Sequence, residues 1–148
     1  MTDSPTLIFR IFRVSLDEDL YRDIEIPGSK TLYDLAEAIV EAYDFDFDHA
    51  FGFYSKIKGH IFDSPIKYEL FADMGESNAR SVKRTRISAA FPKVGTKMSF
   101  LFDYGDDWRF SVELIGKGQS EPRAKYPKII ASVGEAPEQY PTFEDECS

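Results

Sequence analysis

Cysteine is almost missing from this sequence: Cys147 stands by itself, so no internal disulfide can form. Small secreted domains usually carry several cysteines, and the expected location is therefore the cytoplasm. Long apolar runs are missing too. Nothing approaches the roughly 18 consecutive apolar residues that a membrane span needs, so no membrane partner is expected. The opening MTDSPTLIF lacks the basic-then-apolar order of a secretory leader. Histidine is limited to His49 and His60. The patterns GxSxG, P-loop, GxGxxG, HExxH and CxxC do not occur, which removes the most readable hydrolase, nucleotide, zinc and redox chemistries. The sequence thus assigns no catalytic residue, no metal site and no cofactor.

Aromatic residues are plentiful. Thirteen Phe and eight Tyr in 148 residues suit the half-buried, pleated surface of a sheet. The length fits one domain over 1–148. Strands are expected at 6–14 and at 20–26, where Leu20, Arg22, Ile24 and Ile26 alternate with polar residues. A helix is expected at 31–43. Thr31 and Asp34 have the spacing of a capping box, and Leu32, Leu35, Ala36, Ile39 and Tyr43 form one apolar stripe. Further strands are expected at 50–55, near 66–71, at 97–104, at 108–115 and near 127–133, with a helical turn in 86–95 that ends before Pro92. Residues 74–85 read as a mobile loop and 135–148 as a loose acidic tail. The order strand, strand, helix, strand, then more strands predicts an α+β fold, a mostly antiparallel sheet with its main helix on one face.

Charge is unevenly spread. The net charge is −8, yet residues 77–102 contain six basic residues and no acid. Arg80, Lys83, Arg84 and Arg86 are candidate phosphate contacts, and 80–97 is the segment through which nucleic acid would bind. The plain alternative is a solvated loop facing the acidic N-terminal half or tail. Two acidic groups are candidate binding sites. Asp103, Asp106 and Asp107 surround Gly105 next to Trp108, and their carboxylates suit a hard cation. They equally suit a tight hairpin turn, where Asp bonds its own backbone and Gly takes positive φ. Asp48 and His49 follow Asp44 and Asp46 in an alternation that resembles the start of a calcium loop. Counted from Asp44, an EF-hand would need Gly at His49 and Glu at Ser55, so that reading fails. The alternative is a helix-to-strand connection with Phe45 and Phe47 anchored in the core.

The run Phe102-Asp103-Tyr104-Gly105-Asp106-Asp107-Trp108-Arg109 resembles the signature of the plasmid pRiA ORF-three-like family, also described as a TnpR-type passenger protein of insertion elements. Ile87-Ser88, the Pro92 to Gly95 segment, Asp48-His49 and Phe53 are similar to further parts of that pattern. The resemblance implies an α+β, roll-like domain and the company of mobile elements, with no established activity. The sequence departs from the pattern at Phe51 and Phe110, where the family has histidines, and lacks its cysteine pair around 126–141. Any family site built on those groups is dismantled here. The leading expectation is a non-enzymatic binding module with a protein partner. The alternatives are a nucleic-acid-associated accessory protein, or a metal-dependent enzyme in which Asp48, His49, Asp103 and Asp107 converge.

Overall fold

A computed structural model describes residues 5–13, 21–47, 49–57, 59–70, 72, 79–103 and 108–134. The alternating segments form eight strands: β1 (Pro5–Arg13), β2 (Tyr21–Pro27), β3 (Phe51–Tyr54), β4 (Lys67–Glu69), β5 (Arg80–Ser81), β6 (Lys97–Phe102), β7 (Trp108–Gln119) and β8 (Lys128–Val133). Two helices, α1 (Leu32–Ala42) and the single-turn α2 (Ile87–Ala90), and a 3₁₀ turn at Ile61–Asp63 complete the described elements. The strands make one sheet in the order β5-β4-β3-β6-β7-β1-β2-β8. Every pairing is antiparallel except β4 with β5. The expected α+β fold is therefore the fold observed.

Period-two alternation sorts the strands' side chains by face. Phe9, Ile11, Ile24, Ile26, Phe51, Phe53, Phe100, Phe102, Phe110 and Val112 point to one side and are buried with the stripe of α1. Tyr54 and Leu101 point to the other side and are covered by Ile61 of the 3₁₀ turn. Cross-strand Arg10 and Asp23 also lie off the main core, joined by two bonds of 2.9 Å in a bidentate pair.

α1 starts and stops by local chemistry. The Asp34 amide donates to the Thr31 hydroxyl, and the Asp34 carboxylate accepts from the Thr31 amide. This is the expected capping box, and it satisfies two amides that the helix leaves open. At the other end the Phe45 amide donates to Val40 and the Asp44 amide to Glu41, with Asp44 left-handed at φ 59°. Those two bonds form a Schellman motif, in which Asp takes the position that glycine more often fills. Asp44 thus terminates the helix, and the run of acids that follows begins as a helix stop.

Tyr43, next along the chain from α1, is fully buried. Its hydroxyl donates to the Ile11 carbonyl at 2.8 Å. Burial pushes its phenol up to about 12 against the opposing pull of Arg22, whose guanidinium lies 4.9 Å from the ring centre. The folded state thus holds this proton more tightly than the unfolded chain does. The resulting stabilisation is complete below the ordinary value of 10.0 and is lost as pH rises through about 12. Chemical denaturation across that window should show falling stability, and Tyr43→Phe should flatten the decline. An identical alkaline limb in the variant would contradict this assignment.

The segment 79–85 corrects the expectation of a mobile loop over 74–85. It holds β5 and then a turn tied to the start of α1, where Leu32 donates to Thr85 and Tyr33 to Val82. Val82 is buried in the main core. Two apolar residues, Ala79 and Val82, among five polar ones are too faint a pattern to read from sequence, but the burial of Val82 fixes the segment. Residues 73–78 lie outside the described set, as does the expected tail at 135–148.

Candidate interaction surface

One residue of each candidate group, His49 and Asp103, meets the other at one end of the sheet. His49 Nε2 lies 3.3 Å from Asp103 Oδ2, and the Asp103 amide donates to the Ala50 carbonyl at 2.9 Å. This contact arises because β3 and β6 are paired, with Phe51 opposite Phe102, so that the residues flanking those partners become neighbours. Asp103 is buried and left-handed at φ 63°, a conformation that Asp tolerates better than most residues. Asp48, Asp106 and Asp107, the other members of the two groups, lie outside the described residues. Among the described residues no three His, Cys, Asp or Glu side chains gather closely enough to hold a metal. Trp108 is a core residue at the start of β7, packed edge-on against Phe45 at 4.7 Å. Phe45 is buried and Phe47 packs on the core, as the connection reading expects.

Arg80, Lys83, Arg84 and Arg86 are all exposed, as are Lys93 and Lys97. Arg80 lies on β5, the short edge strand, with Lys83 and Arg84 on the turn after it, whereas Arg86 pairs with Thr31 at the start of α1 and Lys97 opens the inner strand β6. Lys83 Nζ lies 5.5 Å from the Tyr33 ring centre. A two-residue strand bearing an exposed arginine is a poor template for further pairing.

The opposite edge is different. β8 has six residues and pairs only with β2 among the described strands. Ile129 is 51% exposed, Ile130 44% and Val133 36%. The β2–β8 register passes from Asp23 opposite Ala131 to Ile24 opposite Ile129, so Ile130 is the extra residue of a bulge. Bulges can protect a sheet edge. Here both isoleucines are left in solvent, so the bulge does not hide the apolar surface. Arg22 ties the far end of β8 by donating to the Val133 carbonyl at 3.1 Å. Beside the near end is a cleft of about 200 Å³, walled by Ile26, Lys30, Glu37, Glu41, Tyr126 and Pro127 among others.

Sequence reasoning found β8 but missed its importance. Its apolar residues carry no mark of their place in the sheet, and only the strand order reveals them as an outer rim.

Comparisons with known proteins agree with this fold. Residues 8–140 match a family model described as "Plasmid pRiA4b ORF-3-like protein". A crystal structure of a protein of unknown function from Methanosarcina mazei Go1 has a TM-score of 0.73 at 20% identity, over 93% of this chain and 74% of that one. At that identity the likeness bears on fold alone. No curated protein matches. Among the described residues no helix is long and apolar enough to cross a membrane.

Proposed function

This chain belongs to the plasmid pRiA4b ORF-3-like family, and we propose that it is a non-enzymatic protein-interaction module whose docking element is the open edge of β8. The carrying observation is the contrast between the two ends of the sheet. One edge is two residues long and cationic. The other is six residues long and exposes Ile129, Ile130 and Val133. Natural sheets shorten, charge or cover edges that would otherwise pair with other chains. An edge left long and apolar suits strand addition, in which main-chain bonds give affinity and alternate side chains give selectivity.

A photo-reactive amino acid at position 129 tests the reading, with the same group at exposed Val94 as control. Cross-links from 129 should map to an extended, apolar protein segment and should exceed those from 94. Equal yields at both positions would overturn the proposal.

A further inference from the structure

We infer that residues 120–134 form a detachable strap: β8 leaves β2 as one unit while the rest of the sheet stays folded, and β2 then becomes the rim. The first observation is burial. Leu114 is the last buried residue among the described ones, and no residue of 120–134 joins either apolar cluster. Ile129, Ile130 and Val133 are exposed even with β8 in place. β8 is therefore held by its ladder to β2 and by the Arg22 bond to the Val133 carbonyl, with no described side chain anchored in the core.

The approach to β8 is as lightly attached. The Ala124 amide donates to the Glu121 carbonyl and the Glu121 amide to the Tyr126 hydroxyl, both at 3.1 Å, so the turn is bonded within itself. A cleft of about 200 Å³ lies between Tyr126 and Pro127 on one side and Glu37 and Glu41 of α1 on the other. β2, by contrast, is built into the sheet from its far side. Ile24 pairs with Phe9 of β1 and Ile26 with Leu7, and all four are buried in the main core. Arg22, Asp23 and Glu25 are charged, and the strand ends at Pro27. Charged residues and proline are devices by which edge strands avoid unwanted pairing. β2 thus carries the protection of an edge strand although β8 covers it. When β8 leaves, Arg22 keeps its bonds to Ala42 and Tyr21, and Asp23 keeps its pair with Arg10.

Opening therefore breaks the ladder and one Arg22 bond but exposes little new apolar surface, and it needs far less free energy than unfolding the sheet. The strap opens whether or not β8 docks a partner. A segment paired to β8 favours the closed strap, so docking and opening oppose each other.

Native-state amide exchange of the full chain, followed by NMR across a urea series, is the test. Along β2, alternate amides face β8 and β1. Those that bond β8, together with the amides of β8, should share one protection factor, at least about 100-fold below that of the β2 amides that bond β1. The shared value should barely change with urea, because little surface is exposed, while β1, β6 and β7 exchange only through global unfolding. Ala131→Gly should lower protection at both ends of β8 by the same factor, about two- to fivefold. Equal protection on the two sides of β2 would overturn the strap. So would an Ala131→Gly effect confined to its neighbours, since β8 would then fray residue by residue.

Discussion

Phe100→Ala should lower the unfolding free energy by about 3–5 kcal/mol, enough to threaten a fold whose total stability is of order 5–15 kcal/mol. Phe100 is fully buried on β6, near the middle of the sheet. Its ring centre lies 4.8 Å from that of Phe53, 5.8 Å from Phe51 and 6.0 Å from Phe110. Those rings come from the two strands that flank β6, so the side chain locks three strands on one face. Removing it forfeits the transfer energy of the ring and leaves a cavity that flat, strand-borne neighbours cannot easily fill. Urea denaturation followed by tryptophan fluorescence would measure the loss, since the single Trp108 lies in the same core. Phe100→Leu, which retains much of the volume, should cost about half as much or less. An alanine variant within about 1 kcal/mol of wild type would mean that the core is not organised around this ring.

Arg22→Met should cost about 2–4 kcal/mol, less than three hydrogen bonds from a charged group at about 1.5–3 kcal/mol each, because methionine is spared the cost of burying a charge. Arg22 is 5% exposed although it is charged. Its Nε donates to the Ala42 carbonyl at 3.1 Å, and one guanidinium nitrogen donates to Tyr21 at 3.0 Å and Val133 at 3.1 Å. The last turn of α1 contains no basic residue of its own. A guanidinium from β2 therefore supplies the positive charge that the helix C-terminus favours. The same group fixes β8 to β2 and packs on the ring of Tyr43. Methionine keeps the bulk of the side chain and removes the donors, so the loss should report the polar contacts. Arg22→Lys should recover only part of the stability, since an ammonium cannot reproduce the planar fork. Because Val133 is one of the partners, amide exchange in β8 should accelerate more than in β6. Equal protection of the two strands would contradict the anchoring role.

The sequence contained the elements because their signals are local. The alternation of Trp108, Phe110, Val112 and Leu114 needs only the period of a strand, and all four are buried as that period requires. The Thr31–Asp34 box and the stripe of α1 need only the pitch of a helix. Arg22 was legible as an inward position, since it alternates with Tyr21 and Asp23. Its partners were not, because Ala42 and Val133 are 20 and 111 residues away along the chain. For the same reason β5 escaped notice: two residues carry no periodicity, and it is held by a parallel pairing to β4.

By itself the sequence determined which residues turn inward, because burial follows from side-chain chemistry repeated at the period of a helix or strand. It could not determine strand order. Backbone hydrogen bonds carry no residue identity, and an apolar strand reads alike at the centre or at the rim. Tertiary pairing alone made Phe100 a keystone, brought His49 to Asp103, and left Ile129 and Ile130 facing water.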